Sequence, residues 1–233
     1  DRLRSRGLGD VYKRQDIENI NLRLEEPKDY KEVENLTREA FWNVYIPGCD
    51  EHYIIHIMRK SDAFIKELDI VAELGDKIVG NIVYSRAKIL CDDKTSYNDV
   101  ICFGPISVLP EFQNRGVGGR LIEHSKEVAR KLGYRGILIY GDPDYYKRYG
   151  FVPAENYEIG TPDDMYSAPL QAFELYNGAL KNCKGRFFED GIFEVDREKA
   201  DEFEKGFPKK EKSSDLPSQK RFIELINMRK PRK

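Results

Sequence analysis

A glycine-rich turn between a predicted strand and a predicted helix is the part of this sequence best suited to chemistry. An apolar run rich in β-branched residues covers 100–108 and predicts a buried strand. Pro110 ends the strand, and the run Gly116-Val117-Gly118-Gly119 follows. Apolar residues then recur at helical spacing as far as Leu132, and Gly133 is a helix stop signal. The predicted order is strand, glycine-rich turn, helix.

The start of a helix is a place where a protein can bind an anion. Its first amide N–H groups have no partner within the helix, and the helix dipole adds partial positive charge there. Because glycines leave room for a ligand, we expect a diphosphate on the backbone amides of residues 114–119. Arg115, Arg120 and Lys126 are placed to add charge-assisted contacts. The plainer alternative is a tight turn that binds nothing.

Two common phosphate-binding motifs fit this turn poorly. No Gly-Lys-Ser/Thr closes it, as a Walker A loop requires, and Gly118 is followed directly by Gly119, against the Rossmann pattern. A third pattern fits, Val-x-Pro-x-x-Gln-x-x-Gly-x-Gly-Gly over Val108–Gly119. This run resembles the acetyl-CoA pyrophosphate loop of the GNAT superfamily of N-acetyltransferases. The phrases GCDEHY, FIKELDIVAE and GDPDYYKRYGF further resemble the YhbS-like group of bacterial predicted acetyltransferases.

The resemblance implies an α/β fold with a mixed, mostly antiparallel sheet flanked by helices. Its fourth and fifth strands are expected to splay apart and admit the pantetheine arm of coenzyme A. The hydrophobic periodicity agrees with a mixed α/β domain. It predicts an edge strand at 20–24, a helix capped by Asp29, a hairpin of strands at 70–74 and 78–89, a polar loop at 91–99, a strand at 136–140 and a short helix from Pro143.

The resemblance also implies acetyl-CoA as the co-substrate and no metal. The expected cofactor contacts run from the end of the central strand into the first helical turn, with one tyrosine beside them: Ile106, Ser107, Val108, Gln113, Asn114, Arg115, Gly116, Val117, Gly118, Gly119, Arg120 and Tyr146. A bulge in the central strand near 107–109 is expected to free a main-chain N–H that stabilises the oxyanion of the reaction.

A tyrosine-rich segment, YYKRYGF from Tyr145 to Phe151, supplies the second candidate group. In the GNAT superfamily a tyrosine four residues before a Gly-Phe pair often protonates the leaving thiolate, and Tyr146 holds that place. A phenol can donate a proton or a hydrogen bond to such an anion. The alternative is that Tyr146 only packs in the core, which is the role expected for Tyr145 and Phe151.

Acetyl transfer to an amine also needs a proton acceptor, because an alkyl amine is mostly protonated at pH 7. Glu73, on the first arm of the hairpin, is the first candidate for the catalytic base, and Glu111 is the second. A cluster after the Pro47-Gly48 turn is expected to line the acceptor pocket instead: Asp50, Glu51, His52 and His56. Each of these residues has the plainer interpretation of a surface carboxylate or a structural histidine.

Composition narrows the class of protein. The chain has 233 residues and a net charge of −2, so it has no general attraction for nucleic acid. Its four cysteines lack CxxC spacing, which favours free thiols in a cytoplasmic protein over a zinc site. No apolar run approaches the roughly 20 residues that a membrane span requires.

The two ends of the chain differ from the middle. The first fifteen residues, DRLRSRGLGDVYKRQ, resemble a translated sequencing adapter, so 1–15 is predicted to be a non-native leader. The acetyltransferase domain is predicted at 16–180. The remainder, 181–233, is predicted to be an extension with a short charged helix at 197–205, a solvated linker at 209–219 and a docking helix with a frayed basic tail. It is expected to close over the acceptor site or to make a homodimer contact.

These observations predict an acetyl-CoA-dependent N-acetyltransferase that acts on a primary amine of a small molecule or a protein. The amine is expected to attack directly within a ternary complex, with no membrane or nucleic-acid partner. The alternative is a non-catalytic acyl-CoA-binding regulatory module. A nucleotide-phosphate binder is a third interpretation, against which the missing P-loop lysine argues.

Overall fold

The computed structural model describes residues 19–232. The predicted leader at 1–15 lies outside the described residues. The strands are β1 (Asn21–Leu24), β2 (Ile70–Leu74), β3 (Lys77–Cys91), β4 (Ser96–Val108), β5 (Gly136–Tyr140), β6 (Val152–Pro153), β7 (Ile159–Gly160), β8 (Met165–Ser167), β9 (Leu170–Glu174), β10 (Gly185–Phe188) and β11 (Arg229–Pro231). The α-helices are α1 (Tyr30–Phe41), α2 (Glu51–Met58), α3 (Val117–Lys131), α4 (Pro143–Tyr146), α5 (Arg197–Glu204) and α6 (Pro217–Asn227).

One large, mostly antiparallel sheet organises the molecule. Its strand order is β1-β2-β3-β4-β5-β9-β6, and β10 pairs with β3 and with β7. The parallel pairs in this sheet are β4 with β5 and β10 with β7. β8 and β11 form a separate antiparallel pair. The predicted fold class is confirmed.

Helices cover both faces of the sheet because its strands alternate two sets of apolar side chains. Val71 and Val83 face α1 and α2 and pack with Val33 and Met58. The opposite face packs against the apolar stripe of α3, where Leu121, Ile122 and Ala129 are buried. The Tyr84 hydroxyl and Ser125 Oγ are 2.7 Å apart and join β3 to α3 within this layer.

The central strands separate after two paired positions. β4 pairs with β5 only at Val100–Gly136 and Ile101–Ile137, although β4 continues to Val108 and β5 to Tyr140. Within residues 19–232, the β4 edge therefore has no partner strand on the β5 side beyond Ile101. This is the splayed arrangement expected from the sequence.

The bulge in β4 lies earlier than predicted. Ile82 of β3 faces Ile106, but Tyr84 faces Phe103, so β4 carries one extra residue between them. The extra residue falls at the cis-linked pair Gly104-Pro105. The expectation of a bulge at 107–109 is wrong, because Ser107 and Val108 keep regular register opposite Asn81 and Gly80.

Several local predictions can be compared with the structure. The edge strand, the hairpin and the short helix from Pro143 are present. The predicted polar loop at 91–99 is wrong, because β3 and β4 extend into it and leave only 92–95 as a turn. Asp29 precedes α1 as predicted but makes no side-chain capping bond to the helix, because its carboxylate binds Arg23 at 2.5 Å.

The C-terminal segment is more regular than predicted. The expected frayed tail is wrong, because Arg229–Pro231 form β11 and pair with β8. Arg232 is buried and its guanidinium binds Asp92 and Asp164. β10 lies beyond residue 180 and yet belongs to the main sheet. The division of the chain at residue 180 stays a prediction.

Three further properties concern the whole described region. Within residues 19–232, every helix is too short or too polar to cross a membrane. In the same residues, His, Cys, Asp and Glu side chains form no group of three that could hold a metal ion. The four cysteines are buried and free: Cys49, Cys91, Cys102 and Cys183.

Substituting Gly185 by alanine is expected to destabilise the sheet. A Cβ at this position would lie 2.2 Å from the Leu90 carbonyl oxygen and 2.6 Å from Cys91 Cα, both of which are backbone atoms. We expect Gly185→Ala to lower the free energy of unfolding by about 1–3 kcal/mol, measured by chemical denaturation. Gly191→Ala is the control, because a Cβ there has no neighbour within 4 Å. Equal stability of the two variants would contradict the pairing of β10 with β3.

Candidate active site

The turn before α3 is shaped by two residues with left-handed backbone conformation. Asn114 has φ 58° and Gly116 has φ 90°. Asparagine and glycine are the residues that adopt this conformation most readily. Gly116 is the N-cap of α3, and a Cβ built on it would meet no atom within 4 Å. The space beside Gly116, at the start of α3, is therefore open.

The end of β4 presents main-chain groups to the gap. Leu109 donates its N–H to the Val79 carbonyl oxygen of β3 at 3.0 Å. Because the backbone N–H and C=O groups of successive strand residues point to opposite edges, this bond fixes the edge to which each β4 residue directs its own groups. Ser107 therefore turns its backbone toward β3, whereas Ile106 and Val108 turn theirs toward the β5 side. Gln113 agrees with this assignment, because its side-chain amide donates to the Val108 carbonyl oxygen at 3.0 Å.

Ser107 has a structural environment on the other face of β4. Its hydroxyl donates to Thr37 Oγ1 at 3.1 Å, and Thr37 in turn contacts Asn81 Oδ1 at 3.4 Å. All three side chains are buried between α1 and the sheet. Of the three predicted contacts at the end of β4, the structure thus brings the backbones of Ile106 and Val108 to the gap and the Ser107 side chain to α1.

The three predicted cations have different surroundings. Arg115 lies beside the loop, with its guanidinium 5.5 Å from the centre of the Phe112 ring. Arg120 donates to the Ile20 carbonyl oxygen at 2.8 Å and so contacts the segment before β1. The expectation for Lys126 is wrong: its buried ammonium binds Glu123 and the Tyr149 carbonyl oxygen and lies 4.0 Å from the centre of the Phe173 ring.

Two glycines of α3 allow close contact with the tyrosine segment. A Cβ on Gly118 would lie 2.8 Å from the Tyr145 hydroxyl, and one on Gly119 would lie 2.8 Å from the Tyr149 ring. Ile106 and Val108 also approach Gly118. The first turn of α3, the end of β4 and the tyrosine segment therefore meet at the gap. Tyr145 lies at this junction, half-buried, rather than deep in the core.

Tyr146 is held by aromatic rings. Its ring lies 5.8 Å from Phe103, 5.0 Å from Tyr145 and 5.6 Å from Phe151, measured between ring centres. Burial, with smaller contributions from Tyr45 and Tyr145, raises the pKa of Tyr146 well above its ordinary value. The phenol is therefore protonated at neutral pH and is a weaker acid than an exposed tyrosine. Phe151 is buried, as predicted.

On the face of the sheet that α1 and α2 cover, the α1–α2 loop approaches the same region. Tyr45 contributes to the raised pKa of Tyr146, and the charges of Glu51 and Asp142 contribute to that of Tyr45. Burial raises the pKa of Glu51 to about 7, although its carboxylate accepts the Asp50 N–H at 3.0 Å. Glu51 is thus a carboxylate that is partly protonated near neutral pH.

The C-terminal segment covers this loop. The Trp42 indole N–H donates to the Glu211 carbonyl oxygen at 2.8 Å, and Gln219 donates to the Asn43 carbonyl oxygen at 3.1 Å. The ring of Phe222 on α6 lies 5.1 Å from that of Tyr45. Residues far apart in the sequence therefore build one wall beside Tyr45.

The remaining predicted base candidates lie in other settings. Glu73 accepts from the Arg23 guanidinium at 2.8 Å on the β1–β2 side of the sheet, and this hydrogen bond lowers its pKa. Glu111 pairs with Lys77 at 2.9 Å, which lowers its pKa as well. Among the contacts of the described residues, neither carboxylate meets Tyr146. Glu73 as the base stays a prediction that these contacts do not favour.

The two histidines of the predicted cluster are structural. His52 is buried, with Nε2 3.0 Å from Glu204 Oε2, and burial lowers its pKa to about 4. It is therefore neutral at pH 7. The His56 ring nitrogen Nδ1 lies 3.0 Å from Glu34 Oε1, and its ring packs 4.5 Å from Phe203. Glu51 is the member of this cluster that the structure links electrostatically to Tyr45.

Comparison with known proteins identifies the family and the fold. Residues 66–153 match the acetyltransferase (GNAT) domain family. The chain is 32% identical over 146 residues to the uncharacterized N-acetyltransferase YjhQ of Escherichia coli K12, and the match covers 51% of this chain and 76% of that protein. The chain belongs to the GNAT acetyltransferase family. It is also 21% identical over 164 residues to the uncharacterized N-acetyltransferase YhbS of the same strain, covering 70% and 92% of the two chains.

Two solved structures share this GNAT fold. YhbS from E. coli in complex with CoA superposes with a TM-score of 0.67 at 19% identity, over 76% of this chain and 93% of that one. A GNAT family acetyltransferase from Brucella melitensis in complex with acetyl-CoA gives a TM-score of 0.60 at 27% identity, over 75% and 97% of the two chains. The predicted resemblance is confirmed.

The sequence does not predict the aromatic wall of this candidate site. Tyr45 and Phe222 are 177 positions apart, and each belongs to a segment whose local pattern indicates only a turn or an amphipathic helix. The tyrosine-rich segment and the Pro47-Gly48 turn are recognisable in the sequence, but no local pattern predicts that they lie near α6. Only the folded chain brings these groups together.

The fit of Tyr146 against Gly141 can be tested by a double-mutant cycle. A Cβ on Gly141 would lie 2.1 Å from Tyr146 Cε2, so Gly141→Ala must displace the ring. We expect a loss of about 1–3 kcal/mol in the free energy of unfolding from this overpacking. In a Tyr146→Ala background, the same substitution is expected to cost much less, because the overlapping ring is gone. Chemical denaturation of the four proteins measures the coupling, and zero coupling would contradict the contact.

Proposed function

We propose that this protein is an acetyl-CoA-dependent N-acetyltransferase that transfers the acetyl group to a primary amine of a small molecule or a protein. The observation that carries the proposal is the gap in the sheet. There the backbones of Ile106 and Val108 face the gap beside the N-terminus of α3, and within residues 19–232 no strand pairs with them on that side. Such backbone groups need hydrogen-bonding partners, and a pantetheine arm carries amides that can provide them.

The proposed cofactor contacts follow from this geometry. The amides of residues 114–119 and the positive end of the α3 dipole suit a diphosphate, and Arg115 adds a positive charge beside them. The backbones of Ile106 and Val108 suit the pantetheine amides and the thioester oxygen. Gln113 holds the Val108 carbonyl group, so it positions the strand end. Two solved structures of this fold, in complex with CoA and with acetyl-CoA, support acetyl-CoA as the ligand.

Tyr146 is the proposed acid. Like any phenol it carries a proton at neutral pH that it can donate to the departing thiolate, while burial, which raises its pKa, makes it a weaker acid than an exposed tyrosine. Its position is fixed by Phe103 of β4 and by Phe151, and the space for its ring exists because residue 141 is glycine. These contacts suit both a packing and a chemical role, and the family motif favours the chemical one.

We further propose that the acceptor enters from the face of α1 and α2. Donor-side groups, namely Tyr145, Tyr146 and the first turn of α3, occupy the other face, so an amine that attacks directly must come from the opposite direction. The wall made by Tyr45, Glu51 and Phe222 would border its path.

The location and assembly of the protein are also proposals. Four buried, free cysteines suit the reducing cytoplasm. Ile223 and Met228 remain exposed on the C-terminal segment, each at 54% of full accessibility, and would suit a homodimer contact.

Cofactor binding can be tested with two glycines of one helix. Gly116 and Gly133 stand at opposite ends of α3 with φ 90° and φ 84°, and a Cβ on either meets no atom within 4 Å. Glutamate at either position therefore introduces similar backbone strain and the same charge. We expect Gly116→Glu to abolish acetyl-CoA binding in calorimetry and Gly133→Glu to retain it. Retained binding by both variants would refute the loop assignment, and absence of binding by the wild type would refute the proposed function.

The role of Tyr146 predicts a split between turnover and affinity. We expect Tyr146→Phe to lower kcat for coenzyme A release by about 10²-fold, the usual scale for a lost general acid, with little change in acetyl-CoA affinity. Tyr176→Phe is the control, because Tyr176 is exposed. Unchanged turnover in Tyr146→Phe would leave Tyr146 a packing residue. Binding without turnover in any amine panel would favour the regulatory acyl-CoA-binding module.

A further inference from the structure

The C-terminal segment contributes a carboxylate, that of Glu189, at the start of the gap between β4 and β5. Glu189 follows β10 directly, and the Cys102 thiol contacts its Oε2 at 3.9 Å. Cys102 is the first β4 residue after Ile101, where pairing with β5 ends. The Glu189 carboxylate therefore stands where the two central strands begin to separate.

Glu189 and Tyr146 lie on opposite faces of β4. Successive side chains of a strand point to opposite faces, and Cys102 and Phe103 are successive residues before the bulge. Cys102 contacts Glu189, whereas the Phe103 ring packs on Tyr146. A thioester in the gap would thus have a phenol on one side and a carboxylate on the other.

The surroundings of Glu189 combine access with desolvation. Glu189 as a whole residue is exposed to solvent. Protein atoms nonetheless surround its carboxyl group, and this burial raises the pKa of Glu189 to about 7, with a contribution from the charge of Glu194. The titratable and charged groups that face it are Cys102 from β4, Tyr140 from β5 and Glu194 from the turn that follows. Lys88 of β3 lies at the neighbouring Phe188 ring, and Asp163 and Arg229 lie beyond Tyr140.

We propose that Glu189 accepts the proton that the acceptor ammonium loses before it attacks the thioester. This proposal rests on the proposed function and adds to it the group that activates the amine. The same carboxylate would attract a cationic acceptor to the gap, so the substrate class is an amine that arrives protonated.

The proton balance of the step is complete. The ammonium gives one proton to the Glu189 carboxylate, and the neutral nitrogen forms a bond to the thioester carbonyl carbon. The carbon–sulfur bond breaks, and its electron pair leaves with the sulfur. Tyr146 donates a proton to that sulfur and regains one that the former ammonium nitrogen releases through solvent. Glu189 then returns its proton to water, so the net release is one proton for each acetyl group transferred.

Glu51 is the competing carboxylate. Its pKa is also raised to about 7, and it lies by Tyr45 on the same face of the sheet. However, it already accepts a hydrogen bond from the Asp50 N–H, and among the described residues no side-chain hydrogen bond or ion pair joins it to β4. The structure favours Glu189, which contacts the strand that borders the gap.

The test compares pH profiles of the full chain, with 1,4-diaminobutane as the amine probe and coenzyme A release as the signal. A base must be deprotonated to act, so the wild-type kcat/KM is expected to rise with pH through an inflection near 7. We expect Glu189→Gln to lose that inflection and to lower kcat/KM by about 10²-fold. Glu198→Gln, which changes an exposed carboxylate on α5, is the control and should retain the wild-type profile. An inflection lost in Glu51→Gln but retained in Glu189→Gln would overturn the proposal.

A second measurement does not depend on the probe being a substrate. Infrared titration of the acetyl-CoA complex is expected to show carboxyl groups of Glu189 and Glu51 with pKa values near 7. Glu189→Gln should remove one of these two signals, and Glu51→Gln should remove the other. A spectrum in which Glu189 titrates near 4.5 would overturn the proposal. Calorimetry distinguishes failure of the Glu189 proposal from failure of the proposed function. Glu189→Gln should bind acetyl-CoA as the wild type does, whereas failure of the wild type to bind would refute the proposed function itself.

Discussion

The loss of pairing between β4 and β5 after Ile101 is the constraint on which the site depends. A sheet normally satisfies the N–H and C=O groups of both edges of an interior strand, and here one edge of β4 is released while the strand continues. The bulge at Gly104-Pro105 lies within this released stretch. The donor-side elements, α3 and the tyrosine segment, pack around it, so the gap is a fixed feature of the fold.

The donor side of the site could be predicted from sequence because its signals are local. One short run, from Val108 to Gly119, contains the end of a strand, a turn and the start of a helix. Tyr146 is recognised by its spacing of four residues from Gly150. Gly116 needs its left-handed conformation for the turn itself, so the residue type reports the geometry directly. The hairpin of β2 and β3 was predictable for the same reason.

The opposite side could not be predicted because its contacts join distant segments. β10 is four residues long, and nothing in GRFF indicates that it pairs with β3. The position of Glu189 at the gap follows from that pairing. The prediction of Glu73 as the base did not include its ion pair with Arg23 of β1. That ion pair depends on the register between β1 and β2, which local periodicity does not encode. Pro105 was a usable signal for the bulge, since proline lacks the N–H that a regular inner strand donates.

The attachment of the C-terminal segment has a consequence for the order in which the chain becomes functional. Arg38 of α1 binds Glu204 and the Pro208 carbonyl oxygen, and Trp42 binds the Glu211 carbonyl oxygen. During synthesis, the residues of the proposed donor side have all been added once Phe151 is made, whereas the α1–α2 loop waits for partners about 170 positions downstream. The two sides of the candidate site are therefore completed at different times, and the side proposed to receive the amine is completed last.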